Sequence, residues 1–266
     1  MITENVYFKN SRGLRLAGII DRPEGAQADA PAIVICHGFS LFKEFKPLFG
    51  LAQSLVEAGF VTLRFDFSNC IGASEGSCSD MTLSHQVNDL ISAISFITEA
   101  KGVSQRGVGI CGHSLGGLTA IVTATVEKRI SSIVAIAPLA KAEWQNLFDE
   151  KTMEKWVVEG AIDFNTYRQG HVELHRSFID DLREYDGTEA VKRVRVPIRF
   201  IHGENDTVVP LKSTMALFEN ANKPKDMFVV PSADHTFLKE PYLGSMLKSA
   251  TEWMSLTMRQ NSPQKS

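Results

Sequence analysis

The chain has 266 residues, a formal net charge of −3, and 28 Lys and Arg against 31 Asp and Glu. That length fits one large α/β domain or two small ones, and the lack of a basic excess argues against a nucleic-acid partner. No apolar run reaches the roughly 18 residues a membrane span needs, and Met1 to Asn5 carries neither a basic start nor an apolar stretch, so a cytoplasmic location is expected.

Val6–Phe8 and Leu14–Ile20 flank Asn10-Ser11-Arg12-Gly13 and read as two antiparallel strands around a turn. Ala32–Cys36 is wholly apolar, as a central parallel strand should be, and it ends in His37-Gly38-Phe39. Phe45–Ala58 has apolar residues at helical period and stops at Gly59. Val61–Phe65 is the next strand. It opens into the Asp66–Gly76 loop, which has no Lys-Ser or Lys-Thr and no following helix start, and so reads as a structural loop rather than a phosphate cradle. Leu83–Ala100 is a helix, Gly107–Cys111 a strand and Leu118–Thr125 a helix.

Between the last two lies Gly112-His113-Ser114-Leu115-Gly116-Gly117, a G-x-S-x-G pattern on a strand-to-helix turn. Such an elbow lifts a serine hydroxyl to the mouth of a sheet, beside the positive end of a helix. Ile133–Ala137 is another strand, ended by Pro138. The rhythm then breaks, and residues 139–194 read as an inserted helical cap rich in aromatics, among them Trp144, Trp156, Phe164, Tyr167 and Phe178. It resumes with a strand at Val196–His202, a helix at Leu211–Asn220, a strand at Asp226–Val230 and a closing helix at Tyr242–Met258. Strands alternating with helices give an α/β fold with a mostly parallel sheet of about eight strands and helices on both faces. Residues 1–138 and 195–266 form its core.

A serine is a poor nucleophile without a base, and the base needs an orienting acid. Of seven histidines, His85, His171 and His175 fall on predicted helices, His202 ends a strand and reads as buried, and His235 lies in the loop after the last strand. His235 is the expected base. Asp206 is the expected acid, with Glu204 as its rival in the same loop. Ser114, Asp206 and His235 then each follow a strand, in the chain order of α/β-hydrolases.

On these motifs, together with His37-Gly38-Phe39, the Asp66–Gly76 loop, His202–Pro210 and Asp234–Phe237, the chain resembles the α/β-hydrolases of the capped esterase and serine-aminopeptidase-like group. In look it is most similar to bacterial cinnamoyl or feruloyl esterases, though those often carry Gln where this chain has Leu115. The resemblance implies an oxyanion hole from the backbone N–H groups of Phe39 and Leu115. It also implies a pocket under the cap, with His37, Gly38, His113, Trp144, Trp156 and Tyr167 as candidates to line it. The implied activity is that of a serine esterase on a small-molecule ester, with no cofactor and no metal required. Acylglycerol lipase, thioesterase and acyl-peptide hydrolase stay open, as does a non-catalytic ligand-binding protein on the same fold; the oligomeric state, a homodimer included, is not set. Cys70 and Cys78 share a loop and are expected to be free thiols rather than a bridge.

Overall fold

The computed structural model describes residues 1–25, 29–142, 148–166 and 168–259. Among them the strands are β1 (Ile2–Lys9), β2 (Arg15–Arg22), β3 (Ala30–Cys36), β4 (Val61–Phe65), β5 (Val103–His113), β6 (Ile130–Ile136), β7 (Ala161–Thr166), β8 (Gly170–His175), β9 (Ile198–Gly203) and β10 (Lys225–Val230). The helices are α1 (Lys46–Glu57), α2 (Leu83–Thr98), α3 (Leu115–Thr123), α4 (Glu150–Glu159), α5 (Ser177–Arg183), α6 (Gly187–Val191), α7 (Leu211–Asn220) and α8 (Tyr242–Arg259).

Eight strands form the main sheet in the order β1-β2-β4-β3-β5-β6-β9-β10. β1 is antiparallel to β2 and β2 to β4, and every other pair is parallel. This is the α/β-hydrolase architecture, and the eight strands lie where the sequence pattern puts them.

The central strands are apolar throughout because both faces are covered. Along β3, Ile33 and Ile35 join a cluster with Leu51 and Leu55 of α1 and Met246 and Trp253 of α8. Ala32, Val34 and Cys36 point the other way, into a second cluster with Leu90 and Ile94 of α2 and Leu118 and Ile121 of α3. Thr82 caps α2, its side chain accepting from the His85 N–H, while Gly59 ends α1 with φ +90°, a left-handed turn that glycine adopts without strain.

The segment between β6 and β9 departs from the expected helical cap. It holds helices α4, α5 and α6, but also the antiparallel hairpin β7–β8. His171 and His175 therefore sit on a strand, not on helices. The physical reason is a period of two: Ile162, Phe164 and Thr166 alternate with Asp163 and Asn165, and Val172 and Leu174 alternate with His171 and Glu173. Phe164 stands opposite Val172 and Ile162 opposite Leu174, so the apolar residues share one face. That face is not a separate core. Phe148, Trp156, Ile162, Leu174, Phe178 and Leu182 belong to the same cluster as α2, α3 and the sheet.

Candidate active site

β5 ends in Gly112-His113 and turns at Ser114 directly into α3. The turn is tight enough to force Ser114 to φ 55° and ψ −120°, a conformation costly for a residue with a side chain. The flanking glycines are required by space. A Cβ on Gly112 would lie 2.2 Å from the Gly116 carbonyl oxygen, and one on Gly116 would lie 2.5 Å from the His37 carbonyl oxygen. The Ser114 N–H donates to the Ile136 carbonyl at 2.7 Å, which fixes the elbow against β6.

Three loops meet there. His235 Nε2 lies 3.0 Å from Ser114 Oγ, and His235 Nδ1 lies 2.6 Å from Asp206 Oδ2. With an ionised acid the ring proton sits on Nδ1, so Nε2 accepts from the serine hydroxyl. The Asp206 side chain is wholly buried, and its Oδ1 accepts the Val208 and Val209 N–H groups at 2.9 and 2.8 Å. These bonds hold the carboxylate's second oxygen toward His235. Glu204, the rival acid, instead accepts the Ser232 N–H at 2.9 Å and braces the loop before His235. Asp234 caps its own turn by accepting from the N–H groups of Thr236 and Phe237.

Other candidates prove to be framework. His113 is buried, and its Nε2–H donates to the His235 carbonyl at 2.9 Å, tying the base's loop to the end of β5. Burial, aided by the nearby His235, pushes its pKa down to about 3, so the ring stays neutral. His37 Nδ1–H donates to the Gly38 carbonyl at 2.9 Å, and its Nε2 accepts the Phe67 N–H at 3.1 Å. Burial also lowers its pKa. Gly38 is packed against the nucleophile, since a Cβ there would lie 3.0 Å from the Ser114 Cβ. All three are buried.

Trp156 is also a correction. Its exposure is 0%, and its ring packs inside the insert against Phe148 and Phe178 at centroid distances of 5.2 and 6.4 Å. It is an interior residue rather than a pocket wall. Trp144 and Tyr167 lie outside the described residues.

Phe39 does link core and insert: its ring stacks on Phe178 at 5.5 Å and meets Phe164 at 5.2 Å. Leu115 opens α3, where an N–H has no carbonyl one turn back to bond. Beside Phe39 lies a narrow apolar crevice of about 10 Å³, between Ile71 and Met81 on the core side and Phe164, Val172 and Leu174 of the hairpin.

The Asp66–Gly76 loop that contributes Ile71 is built around a buried carboxylate. Asp66 accepts from the Lys43 N–H, Lys43 Nζ and the Ala73 N–H, each at 2.7 Å. Lys43, only 6% exposed, is a partner that no local sequence pattern signals. All four cysteines are free, Cys70 and Cys78 included. Among the described residues no group of three His, Cys, Asp or Glu gathers that could hold a metal ion, and no helix is long and apolar enough to cross a membrane.

This arrangement of sheet, elbow and loops is that of an α/β-hydrolase. The chain belongs to the prolyl oligopeptidase family, whose family model matches residues 53–260. It is 32% identical over 141 residues to a thiohydrolase, aneE, of Aspergillus aculeatus, a match covering 53% of this chain and 43% of that one. It is 32% identical over 139 residues to a polyketide transferase, ATR5, of Stachybotrys chlorohalonatus, covering 52% and 45%. The match thus spans less than half the length of either relative. Est1E of Butyrivibrio proteoclasticus, solved with ferulic acid bound, has the same fold, with a TM-score of 0.82 at 20% identity over 96% of this chain and 99% of that one.

Proposed function

We propose that the protein is a serine hydrolase that cleaves carboxylic esters through an acyl-enzyme on Ser114. The observation that carries this reading is the unbroken line from Ser114 Oγ to His235 Nε2 and from His235 Nδ1 to the buried Asp206 carboxylate. In it, Ser114 Oγ attacks the ester carbonyl while His235 takes the hydroxyl proton. Asp206 keeps the ring in its Nδ1–H tautomer and stabilises the imidazolium. The N–H groups of Leu115 and Phe39 receive the oxyanion at the positive end of α3. His235 then hands its proton to the leaving alcohol, and a water repeats the sequence to release the acid.

Residues 139–194 act in this proposal as a cap, and the acyl group lies against the apolar wall of Phe39 and Phe164, where the narrow crevice widens to admit it. Phe39, Phe164 and the aliphatic face of the hairpin suit a flat aromatic or a short-to-medium acyl chain, and the likeness in fold to a ferulic-acid-binding esterase agrees with that class. A thioester leaving group is the second reading, favoured by relatives named as a thiohydrolase and a polyketide transferase. The test is kcat/KM for p-nitrophenyl acetate, octanoate and hydroxycinnamate esters and a matched acyl thioester, with wild type and Ser114→Ala. Wild-type turnover of at least one ester, abolished in the variant, is expected. Cleavage of the thioester alone would move the assignment to a thioesterase, and no turnover of any would leave the binding-protein reading standing.

A further inference from the structure

His202 closes β9 and is fully buried, yet the proton transfers described above do not use it. Its Nε2 lies 2.9 Å from the Val209 carbonyl oxygen and 3.3 Å from Asp206 Oδ2. Both neighbours are acceptors, so Nε2 must carry a proton; it bonds the Val209 carbonyl, with the N–H dipole beside Asp206 Oδ2. On the other side of the ring, Nδ1 lies 2.7 Å from Thr214 Oγ1 of α7. Burial, outweighing the opposing pull of Asp206, holds the His202 pKa below the ordinary imidazole value, so the ring is neutral and Nδ1 accepts the threonine hydroxyl. The ring therefore has one tautomer and one orientation, fixed from both sides.

We propose that His202, held by Thr214, is a positioning residue for Asp206: it sets its N–H dipole beside the oxygen that faces His235 and, through the Val209 carbonyl, fastens the turn whose N–H groups hold the other oxygen. The inference rests on the serine-hydrolase reading and extends the line to Thr214–His202–Asp206–His235–Ser114.

The chemistry gives a direction. A positive N–H dipole beside Oδ2 offsets part of the negative charge that the acid offers to His235. Without the His202 donor, Asp206 pulls harder on the His235 proton and is less well aimed. Among the described residues His113 also faces His235; burial keeps it neutral, and His202 is the smallest of the influences on it, so it stays neutral in the variants.

The experiment uses the full chain with His202→Phe, His202→Gln and Thr214→Val. It reads thermal midpoint, kcat and KM across pH, and the His235 ring titration by ¹⁵N NMR. In His202→Phe, kcat should fall about tenfold with KM within about twofold, as expected for lost orientation. The acid limb of kcat/KM and the His235 ring titration should both move up by about half to one pH unit. His202→Gln, whose amide N–H can reach the carboxylate, should return both toward wild type. If His202→Phe does not fold, Thr214→Val should show the same direction at smaller amplitude. A folded variant with a lower thermal midpoint but unmoved kcat, pH limb and ring titration would show a merely structural histidine and overturn the proposal. The NMR titration needs no turnover, so the inference stands or falls on it even if Ser114→Ala shows the hydrolase reading to be wrong.

Discussion

At the scale of single residues, the two carboxylates of the β9 loop are separated by what they touch. Asp206 is buried with its Oδ2 on His235, whereas Glu204 braces the backbone at Ser232. Asp206→Asn should keep the fold and lower kcat by about 10⁴, because the ring loses the partner that selects its tautomer. Glu204→Gln should stay within about tenfold of wild type, since a neutral oxygen can still accept one N–H. Steady-state kinetics of both variants decides the matter; equal losses would mean that the loop as a whole, rather than one carboxylate, is being read. The triad candidates were legible because each sits at a strand end in a fixed chain order. His202 was legible only as a buried residue. Nothing in one dimension says that a ring four positions before an aspartate will fold back onto that carboxylate.

At the scale of elements, the β7–β8 hairpin is the piece the sequence reading missed. The alternation Ile162, Phe164, Thr166 was present, but the turn from Thr166 to Gly170 lacks a strong hairpin dipeptide, and flanking helical stretches masked the change of period. Two aromatics of the segment, Phe178 on α5 and Phe164 on β7, should behave differently on truncation. Phe178 is fully buried and stacked on Phe39, so Phe178→Ala should cost about 3–5 kcal/mol of stability in urea denaturation. Phe164 is only partly buried and lines the cleft. Phe164→Ala should cost less stability but change the ranking of acetate against hydroxycinnamate esters by about 1–3 kcal/mol in kcat/KM, the range for lost apolar contacts in a pocket. An unchanged ranking would move the acyl site away from the hairpin. Because the insert's aromatics share a cluster with α2, α3 and the sheet, excising it whole would strip apolar cover from the core.

At the scale of the whole molecule, three buried histidines stay neutral in the fold. Burial is the largest cause of the lowered pKa in His37, His113 and His202, and for His113 the value is about 3. A lowered folded pKa means that the unfolded chain binds protons first. Stability should therefore be full above the ordinary imidazole value of 6.5 and fall as pH drops below it. The slope is up to about 1.4 kcal/mol per pH unit for each ring. Urea midpoints at pH 7 and pH 5 check this, and equal midpoints would contradict it. The parallel sheet, its helices and the elbow follow from runs and spacings that a sequence displays. The Lys43–Asp66 pair and the packing of insert on core do not, because they join residues far apart in the chain through contacts no local pattern encodes. The proposed chemistry turns on Ser114 as the activated nucleophile. Its most direct test is intact-mass and peptide mapping after reaction with a fluorophosphonate. A single adduct is expected, on Ser114, that disappears in Ser114→Ala and is slowed by about 10⁴ in Asp206→Asn; an adduct on another residue, or none on wild type, would overturn the assignment.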